Sequence, residues 1–416
     1  MIALLKLAWR NIWRNRRRTV LTSIAIVFGL VLIIIQRGLA VGTYVQMIET
    51  GVRRSEGHIQ VHKKDYWEKK TLKYAFNVTP DDTARISAIP GVERISLKLT
   101  VDALVGANSE NTTGAKVVGV IPSLEKAMTI FSNPKKGMKD GHFLRDTDTT
   151  GALIGYTMAK NIRASVGDTL VVLTQARDGS MGAGRLIVRG IFRAGEPEMD
   201  GYMVLAHIEF MRRILVAEDR VTAIAMTVDD VREMSGIISA LRGLYPDGPS
   251  EKWEVMGYDQ LLPALMQMIA FDESSGFIFL ILLLVVIAFG IMNTILMSVM
   301  ERFHEFGVMM AVGMKRRAVA AMVFLEGVLL SLVGLVVGNI LGWSLNRWWE
   351  LHPIHITGEM GEMYEIMGME PVIYGLPDFG EQMVWSIIVV VLTLIVAMWP
   401  ALTAMRFRPV EAIRQV

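Results

Sequence analysis

The stretch Phe277–Leu345, FIFLILLLVVIAFGIMNTILMSVMERFHEFGVMMAVGMKRRAVAAMVFLEGVLLSLVGLVVGNILGWSL, decides the fold of this chain. It contains two strongly apolar segments separated by a short charged segment, Glu301–Val319. Each apolar segment has about the 20 residues that a helix needs to cross the ~30 Å hydrocarbon core of a bilayer. The charged segment is too polar for a bilayer interior and too short for a domain. The stretch therefore predicts two membrane-spanning helices joined by a loop in water.

The composition of the whole chain predicts a membrane protein with a large part in water. Of its 416 residues, 52% are hydrophobic and 20% are charged. This is too apolar for an ordinary soluble domain and too charged for a protein made of spans alone. The absence of Cys excludes disulfides, thiolate metal sites and a Cys nucleophile.

Hydropathy and charge together predict four spans. The basic residues cluster at the N-terminus, in the charged loop and at the C-terminus, whereas the loop 347–382 is acidic. By the positive-inside rule, both termini and the charged loop are predicted to be cytoplasmic. The predicted order is an amphipathic interfacial helix 1–19, a first span 20–42, an extracytoplasmic domain 43–272, a second span 273–300, a cytoplasmic loop 301–318, a third span 319–346, an extracytoplasmic loop 347–382, a fourth span 383–405 and a cytoplasmic tail 406–416.

The segment 43–272 has the pattern of an α+β domain. GHIQVHK at residues 57–63 alternates as a half-buried strand does, and further strand-like runs are separated by Gly and Asn turns and by amphipathic helices. Strand clusters with separate helices are typical of α+β folds, here with two subdomains.

Arg37 and Glu326 are ionisable residues within predicted spans. Arg37 is expected to extend toward the interface at the end of the first span. Glu326 lies about two turns inside the third span. An intramembrane carboxylate is a functional candidate, but a paired or interface-directed structural role is at least as well supported here.

Catalytic and metal sites are not predicted. Neither a nucleophile elbow nor an H-E-x-x-H motif is found in the sequence. His58 and His62 are interpreted as a surface pair, and the Met-rich segment that follows His352 and His355 fixes no metal geometry. The Arg-rich N-terminus precedes an apolar span, which favours a membrane surface over nucleic acid.

The charged loop is the main candidate site. A predicted helix Glu301–Met314 would place Phe303, Phe306, Met310 and Met314 on one apolar side. Such a helix either docks in a groove of a partner or connects two spans and packs on its own bundle.

Several stretches, in order along the chain, resemble the ABC-transporter permeases of the MacB, LolC/LolE and FtsX family. They are LAWRNIWRNRRRTVLTSIAI, PGVERI, VVGVIPS, GALIGYTMAKNIRASVGDTLVVL, DGYMVLAHIEF, VMERFHEFGVMMAVGMKRRAVAAMVFLEG and RFRPVEAIR. The resemblance implies a four-helix membrane protein with porter and Sabre-like subdomains between helices 1 and 2. It implies a non-catalytic subunit of a bacterial inner-membrane transporter, working as a homo- or heterodimer with two ATPase subunits. ATP and Mg would bind those subunits, because this sequence has no G-x-x-x-x-G-K-[ST] motif.

The resemblance also implies site residues. The loop would be the coupling helix, with ATPase contacts at Glu301, Arg302, Glu305, Phe306, Gly307, Met309, Met310, Gly313 and Met314. Lipophilic substrate would contact Ile35, Gln36, Phe277 and Phe279. A hook that recruits a periplasmic carrier or adaptor corresponds to 175–186, Gly-rich and without Pro here, with Asp178, Gly179, Ser180 and Met181 at its tip.

Three functions are compatible with this family. Lipoprotein release from the inner membrane is the leading expectation, because the resemblance is closest to LolC/LolE and no ATPase is fused. The alternatives are MacB-like efflux of peptides or drugs with an adaptor, and FtsX-like regulation of a cell-wall hydrolase without transport.

Overall fold

The computed structural model describes residues 10, 14, 16–107, 111–132, 137–246, 252–366 and 370–405. The chain divides into two compact units. The helical unit comprises Met1–Tyr44, Ile269–His355 and Val372–Val416, and the α+β unit comprises Val45–Met268 and Ile356–Pro371. Most of the predicted interfacial helix 1–19 and the whole predicted tail 406–416 lie outside the described residues.

Four helices of the described chain are long and apolar enough to cross a membrane, as predicted. Each is longer than its predicted span. The apolar pattern marks only the part of a helix that suits hydrocarbon, whereas the backbone hydrogen bonds continue into polar residues at either end. These helices are α1 (Arg16–Gly51), α10 (Pro263–Glu301), α12 (Arg316–Leu351) and α14 (Phe379–Met405).

Glycines of α12 form the contact with α1. Gly334, Gly338 and Gly342, spaced by four residues, lie against Ile26, Leu30 and Ile34, which have the same spacing. Residues four apart share one helix face, so a groove on α12 receives a ridge of α1. The short elements of this unit are α11 (Phe303–Ala311) and the strand pair β13 (Ile354–His355) and β14 (Val372–Ile373).

The strands of the α+β unit are β1 (Ile59–Lys63), β2 (Phe76–Asn77), β3 (Val92–Gly106), β4 (Thr112–Val120), β5 (Met138–Gly141), β6 (Gly151–Gly155), β7 (Thr169–Gln175), β8 (Met181–Phe192), β9 (Met203–His207), β10 (Arg220–Val221), β11 (Ala223–Val228) and β12 (Trp253–Gly257). Ten of them form a mixed sheet in the order β12-β1-β11-β3-β4-β9-β6-β8-β5, with β7 paired to both β3 and β8. The long strand β3 pairs with two strands in succession: Val92–Lys98 pairs with β11, and Leu99–Gly106 pairs with β4.

Short helices accompany this sheet. The main core contains side chains of β1, β3, β4, β8 and β11, together with those of the helices α5 (Tyr156–Ile162) and α7 (Ile208–Leu215). The predicted fold class, four spanning helices with a large α+β part between the first two, is therefore confirmed. The helices are α2 (Tyr66–Lys69), α3 (Pro80–Ser87), α4 (Pro122–Met128), α5 (Tyr156–Ile162), α6 (Pro197–Tyr202), α7 (Ile208–Leu215), α8 (Met234–Leu244), α9 (Tyr258–Leu261) and α13 (Glu359–Ile366), with a π-helical turn at Val52–Glu56 and 3-10 turns at Leu72–Tyr74, Ile130–Ser132 and Val231–Glu233.

His58 and His62 are buried, so the prediction of a surface pair is wrong. Both have 0% of their surface exposed. Successive residues of a strand point to opposite faces of the sheet, and Ile59, Gln60, Val61 and His62 of β1 are all buried, so both faces of β1 are covered. His58 Nε2 is 3.3 Å from Glu49 Oε1, and the His62 ring stacks on Trp67. The alternating pattern shows which residues share a face but not whether the second face is covered.

Candidate functional site

The charged loop folds into a helix that is shorter than predicted. Helix α10 ends at Glu301, and Arg302 leaves helical geometry with φ −102° and ψ 15°. Helix α11 then runs from Phe303 to Ala311, and α12 begins at Arg316. The sequence predicts one helix over Glu301–Met314, because propensity does not register the interruption at Arg302.

Gly313 ends α11. Its φ of +106° lies in the left-handed region that favours glycine. The Gly313 N–H donates to the Met310 carbonyl at 3.1 Å, and the Met314 N–H donates to the Met309 carbonyl at 3.0 Å. These two bonds are those of a Schellman cap, which turns the chain from α11 toward α12.

One face of α11 packs on the helical unit itself. Arg302, Phe306 and Met310 are spaced by four residues and are 7%, 1% and 9% exposed. Phe306 and Met310 belong to the core of the helical unit, together with Val319 and Val323 of α12. Burial of these apolar side chains fixes which face of α11 points outward.

The opposite face is exposed. We call His304, Val308, Ala311 and Val312 the docking face. Val308 is 43% exposed and Val312 is 84% exposed. Exposed Lys315, Arg316 and Arg317 follow it directly. Apolar side chains in this position, next to a basic cluster, offer a surface for an amphipathic helix-in-groove contact.

The residues predicted to contact an ATPase divide between the two faces. Glu301 and Gly313 are exposed, Glu305, Met309 and Met314 are half-buried, and Arg302, Phe306, Gly307 and Met310 are buried. The sequence reasoning missed His304, Val308 and Val312. Their spacing of four residues, opposite Phe306 and Met310, is a signal that could have identified them.

Ion pairs connect α11 to its neighbours. Arg302 Nη1 donates to Glu326 Oε1 at 2.7 Å and to Oε2 at 3.0 Å, and Arg302 Nε donates to Glu305 Oε2 at 2.9 Å. Arg14 Nη2 donates to Glu305 Oε2 at 2.6 Å. The hydrogen bond from Arg14 is the main cause that holds the pKa of Glu305 below its ordinary value. Glu326 is therefore paired, one of the two roles that the sequence left open.

The predicted substrate residues lie on α1 and α10. Ile35 and Gln36 are half-buried, and Phe277 and Phe279 are 52% and 55% exposed. A Cβ at Gly276 would be 3.5 Å from Gln36 Nε2, so Gln36 approaches α10 at the residue before Phe277. The Phe277 ring lies 6.2 Å from the Trp385 ring of α14. Phe279 is two residues beyond Phe277, which turns it to another side of α10. Ile35 and Gln36 of α1 therefore lie level with Phe277 along the two helices.

Arg37 is buried, so the expectation that it extends to the interface is wrong. It is 8% exposed, with Nε 3.1 Å from Glu381 Oε2 and Nη2 3.3 Å from Glu273 Oε1. Two carboxylates on α14 and α10 offset the cost of removing the guanidinium from water.

The predicted hook is the turn between β7 and β8. Asp178 Oδ1 accepts from the Ser180 N–H at 3.0 Å and from its Oγ at 2.6 Å, and these bonds lower the pKa of Asp178. Gly179 has φ +86°, and Met181 is 81% exposed. Three of the four predicted contact residues therefore form one exposed, locally hydrogen-bonded turn, and the fourth, Met181, begins β8 beside it.

Metal-ligand clusters are not found in the part of the chain that the structure describes: no group of three or more His, Asp or Glu there could hold a metal ion. The candidate functional features of the described residues are the docking face, the two interhelical ion-pair clusters at Arg37 and Arg302, and the exposed turn before β8.

Two family models match the sequence. One, described as the MacB-like periplasmic core domain, matches residues 19–244, more than half of the chain. The other, described as the FtsX-like permease C-terminal region, matches residues 277–409. Together they cover most of α1, of the α+β unit and of α10, and all of α12 and α14.

Three relatives illustrate the range of the similarity. An uncharacterised ABC transporter permease of Methanocaldococcus jannaschii is 25% identical over 350 residues, covering 80% of this chain and 81% of the relative. The lipoprotein-releasing system transmembrane protein LolC of Neisseria meningitidis is 20% identical, covering 74% of this chain and 75% of the relative. The macrolide export ATP-binding/permease protein MacB of Nitrosomonas europaea is 23% identical, covering 98% of this chain but 58% of the relative.

The family models, the four long apolar helices and the α+β unit all identify the same family for this chain. This chain belongs to the ABC-transporter permease family that includes MacB, LolC and FtsX, with a MacB-like periplasmic core domain and an FtsX-like C-terminal region.

Proposed function

We propose that this chain is the non-catalytic permease subunit of an ATP-driven machine of the inner membrane, powered by separate ATPase subunits that bind the docking face. The observation that carries this proposal is the division of α11 into a buried face and an exposed apolar face. Exposed apolar side chains grouped on one helix face beside a basic cluster are a feature of surfaces that bind a partner.

In this mechanism the ATPase subunits bind ATP and Mg and move the docking face. Helix α11 passes this movement to α10 and α12, to which it is joined by one residue and by the Gly313 turn. A second copy or a paralogue of this chain completes the permease. Helix α10 is suited to contact that copy or lipid, because many of its apolar side chains are exposed in this chain, among them Phe277, Ile278 and Leu282.

The substrate class that we propose is lipoprotein, extracted from the outer leaflet for release to a carrier. LolC relatives support it, because the similarity extends over about three quarters of both chains. Ile35, Gln36 and Phe277 would contact the acyl chains, and the exposed turn at Asp178, Gly179, Ser180 and Met181 would contact the carrier.

A second candidate is MacB-like efflux of a peptide or drug with an adaptor. The macrolide export protein MacB of Nitrosomonas europaea supports it, because its similarity extends over nearly all of this chain. An FtsX-like regulatory role is the third, supported by the match of the C-terminal family model.

The docking proposal is tested by co-expression with the cognate ATPase. Val308→Glu and Val312→Glu place a carboxylate on the docking face, so they are expected to abolish co-purification of the ATPase. Val166→Glu is the matched control, because Val166 is 38% exposed on the α+β unit. Undiminished co-purification with both docking-face variants would reject this surface.

The substrate proposal is tested by intact mass spectrometry of the complex purified in detergent. Acylated lipoprotein that is bound and then released on addition of ATP would support extraction. A complex that contains only phospholipid, with an ATPase rate that responds to an added adaptor or hydrolase, would instead favour one of the other two functions.

A further inference from the structure

Arg302 and Glu326 form a buried ion pair rather than a surface contact. Their side chains are only 9% and 8% exposed. Arg302 Nη1 reaches both oxygens of the carboxylate, at 2.7 and 3.0 Å. Short bonds between two charged groups are stronger and more directional than neutral ones.

Arg302 is also the residue at which the helix path breaks. It lies between Glu301, the last residue of α10, and Phe303, the first residue of α11. Its side chain crosses to Glu326, the eleventh residue of α12, and its Nε holds Glu305 of α11. One guanidinium thus joins the ends of α10 and α11 to the interior of α12.

The opposite charges of Arg302 and Glu326 make this ion pair costly to separate. Separating the pair removes two short charge-assisted hydrogen bonds from a carboxylate on α12 that is shielded from water, which is costly. The Phe306 ring, 5.0 Å from the guanidinium carbon, covers another side of Arg302. Movement of α11 away from α12 would have to break this pair, so the two helices move together.

We propose that Arg302 is a positioning residue: through Glu326 it couples the docking face of α11 to α12, so that a partner bound outside moves the helical unit. This inference rests on the proposed function. It goes further by assigning to Arg302 and Glu326 a role in transmission, whereas the docking face has the role of binding.

The first test needs no partner. The chain contains no Cys, so a single Val312→Cys substitution can carry a nitroxide spin label on α11. Arg302→Met is expected to increase the mobility of this label. The exchange Arg302→Glu with Glu326→Arg restores the attraction with reversed sign and is expected to restore the parent spectrum. Unchanged mobility in Arg302→Met would overturn the proposal.

The second test measures transmission in the complex with the ATPase. Spin labels at Phe271→Cys and Leu351→Cys, 76% and 61% exposed, report the distance between the ends of α10 and α12 that lie far from α11. An ATP-dependent change of this distance is expected in the parent. Arg302→Met is expected to lose it while the ATPase remains bound and hydrolyses ATP, and the exchange variant is expected to regain it.

Control variants keep the outcomes distinct. Arg53→Met removes the same charge from an exposed pair with Glu49 and is expected to behave as the parent. If Arg302→Met is not produced in folded form, Glu326→Gln, which keeps the side-chain size, takes its place. A full ATP-dependent change in either variant would overturn transmission through this pair. Failure of the parent to bind an ATPase would instead reject the proposed function, and the mobility test would still decide whether the pair holds α11.

Discussion

Gly338 of α12 lies against Leu30 of α1 so closely that a Cβ at position 338 would be 3.0 Å from Leu30 Cδ2. The same relationship recurs one turn on either side, where Gly334 meets Ile26 and Gly342 meets Ile34. In a bilayer the apolar side chains gain little from leaving lipid, so this close backbone approach supplies much of the contact.

Gly338→Leu is therefore expected to separate α1 from α12. Overpacking of this kind costs about 1–3 kcal/mol, so the midpoint of thermal unfolding in detergent should fall. Gly290→Leu is the matched control, because nothing lies within 4 Å of a Cβ at Gly290. Equal midpoints for the two variants would contradict the close contact.

Arg37→Met is expected to destabilise the helical unit, because Glu273 and Glu381 lose the cation between them. Hydrogen bonds to charged groups contribute about 1.5–3 kcal/mol. Arg347→Met breaks an exposed pair with Glu350 and should change stability by less than about 1 kcal/mol. The measurement is again the unfolding midpoint in detergent, and a loss no greater than that of the control would contradict the role of Arg37.

His62 is expected to make the stability of the α+β unit depend on pH. Burial lowers the pKa of His62 below its ordinary 6.5, despite Glu254 Oε2 at 3.6 Å from Nδ1 and a backbone hydrogen bond to Lys63. The unfolded chain then binds a proton more readily than the folded chain. The α+β unit is therefore most stable above pH 6.5, where His62 is neutral in both states, and its stability falls as the pH falls below that value.

Hydrogen exchange of the strand β1 amides, measured from pH 7.5 to 5.5 and corrected for the intrinsic rate, tests this dependence. His62→Phe keeps a ring against Trp67 without a titrating group and should flatten the profile. The exposed His142→Phe should leave it unchanged. A profile that stays steep in His62→Phe would assign the dependence to another group.

Gly313→Val is expected to unfold the last turn of α11. A side chain in the left-handed region costs about 1–2 kcal/mol per residue, and Gly313 has φ +106°. Asn tolerates this region better, so Gly313→Asn is the matched variant. Hydrogen exchange over residues 309–316 should rise for Val more than for Asn. If both variants leave exchange unchanged but abolish ATPase binding, Gly313 acts by contact and not by conformation.

The sequence was enough to predict where the candidate site lies in the chain and which residues form one apolar face of its helix. The charged residues between two apolar segments located the loop, and the spacing of Phe306 and Met310 identified an apolar side that the structure buries. The exposed face went unnoticed because Val308 and Val312 are apolar, as buried Phe306 and Met310 are. The four-residue spacing separates the two faces, but packing against α12 decides which of them is buried.

The sequence by itself determined the four spans, the α+β part and the family, because each depends on composition over many residues and on order along the chain. Tertiary structure alone decided the partners of Arg37, Arg302 and His62, whose contacts lie in other elements of the sequence. Electrostatic and packing energies act over a few ångströms in space. Residues far apart in the chain, such as Arg37 and Glu381, can satisfy them only after the helices have assembled.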